Sequence, residues 1–254
     1  MNLRVVLTPG ELRPGEVAGA CVFVIDILRA TTTMCAALHH GAKAIIPVTG
    51  IDEAREVAAR FEGEGEGEGE GERPMLAGER GADPVPGFDL GNSPGEMTAA
   101  AVAGRLLVMT TTNGTRALRA VAGAASVHPL AAVNFSAAVQ RARSVRQDGG
   151  RVVVVCAGMV GRPSREDAYC AGRFGRDVVG SAGGAGLSDQ TRWCLDLAEE
   201  SGDDWYAALM ASTAGRKLSE HGYAEDVRVA GRQDLHPVLP SLRDGRLTLT
   251  PSIP

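Results

Sequence analysis

The sequence predicts an α/β protein with a mainly parallel or mixed sheet covered by helices. Two observations predict it: short runs rich in Val, Ile and Leu that do not alternate with polar residues, and intervening stretches whose apolar residues recur at helical spacing. Continuous apolar runs suit strands buried on both faces, as a parallel sheet flanked by helices requires.

In chain order, the strand runs are 3–7, 21–25, 44–48, 106–109 and 152–156. A helix is expected over 34–40. Ile51, Ala54, Val57, Ala58 and Phe61 keep one face of a second helix, and Phe135, Ala138, Val139, Ala142 and Val145 keep one face of a third. From 164 to about 222 the chain reads as successive helices, and 246–250 as a final edge strand. The alternation of strand and helix sets the class. A single domain over 1–254 is expected, interrupted at 62–72 by a run in which Glu and Gly alternate. Half glycine and half like-charged glutamate, that run cannot bury apolar surface, so it reads as a flexible, solvated loop insertion.

The chain of 254 residues carries 26 Lys+Arg and 31 Asp+Glu, and six of the acids lie in the Glu-Gly run, so the remainder is nearly neutral. With no basic surplus and only 4% aromatic residues, it lacks the footprint of a nucleic-acid binder. Its longest apolar stretch, 152–160, is about half of the roughly 20 residues a membrane span needs. The N-terminus meets charge and proline too early for a signal peptide. Five cysteines without a Cys-x-x-Cys pair read as reduced core thiols, and a cytoplasmic location is expected.

Four segments carry chemistry. In the first, the apolar strand ends at Asp26 and is followed by Arg29, then Thr31, Thr32 and Thr33 and a helix. Ligands of open α/β sheets bind at the carboxyl ends of strands, where helix N-termini attract anions. Thr31 or Thr32 could equally be a plain N-cap. The second segment repeats the design with Thr110, Thr111, Thr112, Asn113, Gly114, Thr115 and Arg116. Arg116 early in a helix opposes the macrodipole, which suits a nearby anion. The third joins Gly78, Glu79, Arg80 and Gly81 to a turn containing Gly91, Asn92, Ser93 and Pro94.

The fourth runs from Cys156 through Gly158 and Arg162 to Ser164, Glu166 and Asp167. Cys156-x5-Arg162 imitates a thiolate phosphatase loop, a rival reading. Glu166 and Asp167 could hold a metal, although Ser164-x-x-Asp167 also fits a capping box. His39, His40, His128, His221 and His236 show no zinc spacing, and His39 and His40 fit a helix C-terminus.

In this order, the motifs resemble the 2-phosphosulfolactate phosphatase (ComB) family: Asp26 to Thr33, Gly78 to Arg80, Gly87 to Pro94, Thr111 to Arg116, Cys156 to Gly158, and Ser164 to Asp167. The resemblance spans roughly residues 2–240. It implies a three-layer α/β/α fold and a magnesium-dependent phosphatase acting on phosphate esters of 2-hydroxy acids. The family's named member converts (2R)-phosphosulfolactate to sulfolactate, a step toward coenzyme M.

Carried onto this chain, the resemblance makes Asp26, Arg29 and Glu79 catalytic. It assigns substrate binding to Thr31, Thr32, Arg80, Asn92, Ser93, Thr112, Asn113, Gly114, Thr115, Arg116 and Cys156. Mg²⁺ would be held by a subset of Asp26, Glu79, Glu166 and Asp167, with Asp26 as nucleophile or principal ligand. The expected partner is a small phosphorylated hydroxy acid, with no nucleic acid and no membrane, and a homo-oligomer stays open. A non-catalytic anion-binding domain is the third alternative.

Overall fold

The computed structural model describes residues 3–62, 73–180 and 186–249. In chain order the elements are β1 (Leu3–Val6), β2 (Cys21–Ile25), α1 (Ala30–His39), β3 (Ala44–Val48), α2 (Ile51–Glu62), β4 (Met75–Arg80), β5 (Asp83–Pro84) and α3 (Ala99–Val102). There follow β6 (Leu106–Thr110), α4 (Gly114–Ala120), β7 (Ser126–Leu130), α5 (Phe135–Gln147), β8 (Val152–Cys156) and α6 (Arg165–Val179). The chain continues with α7 (Asp189–Ser201), α8 (Trp205–Met210), α9 (Thr213–Glu220), α10 (Ala224–Ala230), β9 (Pro240–Arg243) and β10 (Arg246–Leu249).

The strands form two sheets. One is entirely parallel, in the order β1-β8-β2-β7; the other is mixed, in the order β5-β4-β6-β3-β10-β9. The period of two explains why the strand runs are apolar throughout. In β2, Cys21, Phe23 and Ile25 face a core shared with α5, α6 and α7, while Val22 and Val24 face a second core. β8 divides the same way: Val152, Val154 and Cys156 on one side, Val153 and Val155 on the other.

The second core brings together Met34 and Leu38 of α1, Leu118 of α4, and Ile45, Leu107, Met109 and Leu247 of the mixed sheet. α1 and α4 each touch strands of both sheets. Beyond the mixed sheet, α2 buries Ala54 and Ala58 against Val48, Leu76 and Val108. This is the α/β class with α/β/α layering, its strands shared between two sheets.

Two local expectations change. The 246–250 strand is not an edge: β10 lies between β3 and β9, where Leu247 pairs with Ile45 and is fully buried. The helix expected over 34–40 starts earlier, at Ala30, and takes in all three threonines. The Glu-Gly insertion lies outside the described residues apart from Glu62, the last residue of α2. No described helix is long and apolar enough to cross a membrane.

Candidate active site

Parallel strands from both sheets send their C-terminal ends to one cavity of about 240 Å³. β2 delivers Asp26, Leu28 and Arg29; β4 delivers Glu79, with Gly81 and Ala82 beyond it. Thr112 and Asn113 follow β6; Gly158, Met159 and Val160 follow β8. Asn92 and the first-turn Glu166 of α6 complete the inner wall, and α9 contributes Lys217 and Leu218, with His221 just past its end.

Three of these groups are nearly buried carboxylates: Asp26 is 8%, Glu79 7% and Glu166 6% exposed. Burial first, and then repulsion from Glu79 and Glu166, push the Asp26 carboxyl up to about 7. Backbone N–H groups of Ala30 and Gly114, at the starts of α1 and α4, bond to that carboxylate and pull the other way. Gly114 is required there: a Cβ would lie 2.5 Å from the Ala30 Cβ and 2.8 Å from Asp26 Oδ2. Burial also raises the Glu166 carboxyl.

Glu79 is fixed by its neighbours. Its Oε1 accepts from the Thr112 N–H at 2.7 Å, and its Oε2 from the Ala82 N–H at 3.1 Å and the Thr112 hydroxyl at 3.2 Å. Arg29 is held by Asp226, whose Oδ2 lies 2.6 Å from Nη1, while Nη2 donates to the Ala82 carbonyl at 2.7 Å. The guanidinium stacks 4.2 Å over the Tyr223 ring. Asn113 accepts from the Val160 N–H at 3.1 Å and so ties the loop after β6 to the loop after β8. The Oδ1 of Asn92 is buried and has no hydrogen-bond partner.

A match to the family model described as 2-phosphosulpholactate phosphatase covers residues 6–245. The chain belongs to this family. Among its relatives, proteins named probable 2-phosphosulfolactate phosphatase from Caldanaerobacter subterraneus subsp. tengcongensis and Deinococcus radiodurans are 35% and 37% identical. The first comparison covers 96% of this chain and 97% of the relative, the second 96% and 95%. One of the same name from Thermus thermophilus is 37% identical over 96% of this chain and 95% of its own. The family's name is that of a phosphoric monoester hydrolase.

In this member of the family, the cavity gathers Asp26, Arg29, Glu79, Asn92, Thr112, Asn113 and Glu166 of the expected residues, with Gly114 directly behind Asp26. The others are elsewhere. Thr31 and Thr32 are neither caps nor cavity walls; they are fully buried, their hydroxyls donating to the carbonyls of Leu130 and Ile27 at 2.9 and 2.7 Å. Thr115 closes a turn with Thr111. Ser93 donates to Asp226 Oδ1 at 2.5 Å, bracing the partner of Arg29. Arg80 turns to the Thr110 hydroxyl at 2.9 Å and to the Glu79 carbonyl at 2.6 Å. Arg116 is exposed and does not line the cavity.

Asp167 makes neither a capping box nor a cavity wall. Its Oδ1 accepts from the Ile27 N–H at 3.1 Å and its Oδ2 from the Gly158 N–H at 3.0 Å, locking the loops after β2 and β8 together. Cys156 is 0% exposed, faces the helical core, and has its thiol pushed well above the usual range by burial and by Asp167. An activated thiolate needs the opposite shift, so the thiolate phosphatase reading is overturned. Sequence reasoning missed Lys217, His221 and Asp226. Lys217 lies in α9, His221 just past its end and Asp226 in α10, all separated from every motif; the fold brings the first two to the cavity wall and the third to Arg29.

Proposed function

We propose that the chain is a magnesium-dependent phosphatase hydrolysing phosphate esters of 2-hydroxy carboxylic acids, with (2R)-phosphosulfolactate as the foremost candidate. One observation carries this reading: Asp26, Glu79 and Glu166 share a cavity whose inner cation, Arg29, is already paired with Asp226. A polyanionic ester cannot enter such a site against three carboxylates unless a cation accompanies it. The relatives' printed names supply the substrate class.

The donor set fits Mg²⁺. The carboxylate oxygens are hard ligands, and Mg²⁺ takes one or two of them and keeps water and phosphate oxygens. Asp26 and Glu166 are the proposed ligands, with Asn92 Oδ1 available to a bound water. Bound there, the ion would neutralise charge on the phosphoryl oxygens. The protein's own groups do the rest. Thr112 and Ala82 hold Glu79 in one orientation, Asp226 fixes the Arg29 guanidinium at the cavity wall, and Lys217 offers a cation toward the far end of the substrate. Asp26, with a carboxyl near neutrality, is the candidate to attack phosphorus or hold the ion. Buried free thiols at all five cysteines suit the proposed cytoplasmic setting.

The test is phosphate release from 2-phosphosulfolactate, 2-phospholactate, phosphoglycolate and an aryl phosphate, each with Mg²⁺ and with chelator. Turnover of 2-phospho acids that stops on chelation is expected. Equal turnover in chelator would overturn the metal requirement, and a preference for the aryl ester would overturn the substrate class.

A further inference from the structure

α1 starts at the cavity and ends, about 15 Å away along its axis, in a second cluster of potential ligands. His39 is the last helical residue, His40 follows it, and His236 arrives from the segment between α10 and β9. The ring centroids lie 5.1 Å (His39 to His40), 4.8 Å (His39 to His236) and 5.2 Å (His40 to His236) apart. One ring nitrogen from each comes within 4.8 Å of the other two, the only such trio of His, Cys, Asp or Glu ligand atoms among the described residues.

Two further observations point to a missing ligand. His236 is 6% exposed, yet its Nδ1 has no hydrogen-bond partner, and the buried Nδ1 of His40 is in the same position. An unpaired buried polar atom costs free energy, which a bound ion would remove. The backbone around His236 is already fixed, its N–H donating to the Val133 carbonyl at 2.8 Å and its carbonyl accepting from the Val238 N–H at 2.7 Å. Burial, and then repulsion from His39, His40 and Arg232, lower His236 to about 4. The negative end of the α1 dipole adds a weak attraction for a cation.

We propose that His39, His40 and His236 bind one Zn²⁺, which clips the C-terminus of α1 to the segment between α10 and β9. Imidazole donors without a carboxylate suit a borderline ion such as Zn²⁺ and not Mg²⁺. Nitrogens about 2.0–2.1 Å from a tetrahedral ion sit about 3.3 Å apart, so small rotations of the exposed His39 and half-buried His40 close the site, and water takes the fourth position. The sequence conceals this because almost two hundred residues separate His236 from the other two. The site is distinct from the carboxylate cavity and stands or falls independently of the phosphatase reading.

The experiment is calorimetric titration of the whole chain with Zn²⁺ in excess Mg²⁺, followed by Co²⁺ substitution. Binding of one equivalent with Kd on the order of micromolar or tighter is expected, with the intense visible absorption of tetrahedral Co²⁺. His39→Gln, at an exposed position that does not threaten folding, should weaken binding at least about tenfold, and His236→Asn should abolish it. Absence of saturable Zn²⁺ binding would overturn the proposal. So would binding that survives His39→Gln and His40→Gln unchanged but falls in Glu166→Gln, which would place the ion at the carboxylates.

Discussion

At the scale of single residues, the site is organised by what each polar atom already holds. Asp26 keeps a carboxylate at the cavity wall, raised by burial and by two acidic neighbours. Replacing it with Asn keeps the shape and removes the charge. Asp26→Asn should lower kcat on the order of a thousandfold, as loss of a nucleophile or principal metal ligand does. A variant retaining near-normal turnover would end its assignment. The cations divide differently from what their motifs suggest. Lys217 lines the cavity although no motif contains it, whereas Arg116 sits in a motif and faces solvent. Lys217→Ala should raise KM about tenfold for esters bearing an additional anion, a loss of about 1.4 kcal/mol, with little change for an aryl phosphate. Arg116→Ala should leave both substrates nearly unaffected. Comparing KM for the two esters in each variant checks the distinction, and the reverse ranking would restore Arg116 as the substrate-binding cation.

At the scale of elements, the decisive contact is between the first turns of α1 and α4. They approach so closely at Gly114 that no side chain fits, and both present backbone N–H groups to Asp26. Gly114→Ala forces the helices apart or moves Asp26. Destabilisation of about 1–3 kcal/mol is expected from such overpacking. Activity should fall well beyond what the unfolded fraction accounts for, because the displaced group is Asp26 itself. Thermal unfolding and kcat measured on the same preparation separate the two effects; full activity in a destabilised protein would show that the contact serves folding alone. The elements legible in the sequence were those with long apolar runs. β2 and β8 announce themselves because both faces are buried. β7 does not: its five residues include Ser126, His128 and Pro129, and proline is tolerated because the strand lies at a sheet edge. β9 opens on Pro240 and holds only four residues. Nor could the sequence show that Asp167 bridges two loops, since one of its two partners, the Ile27 N–H, lies 140 residues away in the chain.

At the scale of the whole molecule, two sheets and the helices they share converge on an acidic cavity, and that acidity sets how stability depends on pH. The folded Asp26 carboxyl sits at about 7 against 3.8 for an unperturbed group. Glu166 and Asp167 are raised too, both chiefly by burial. Between these limits the native state binds more protons than the unfolded chain, so folding is favoured at the acidic side and loses stability as pH rises toward and through 7. For Asp26 alone the loss by pH 8 amounts to at most about 4 kcal/mol, from roughly three units at about 1.4 kcal/mol each. Denaturant unfolding in chelator should therefore show lower stability at pH 8 than at pH 5. Asp26→Asn, which has no charge to bury, should flatten that slope and be the more stable protein at pH 8 even as it loses turnover. Mg²⁺ should restore wild-type stability at pH 8, because a ligand that binds only the folded state stabilises it by mass action, about 2.7 kcal/mol at a hundred times Kd. It should do less at pH 5, where Asp26 holds its proton. A wild-type curve in chelator that instead rises from pH 5 to pH 8 would mean that the carboxylates are compensated within the protein, and the argument for a cation between them would lose its physical basis.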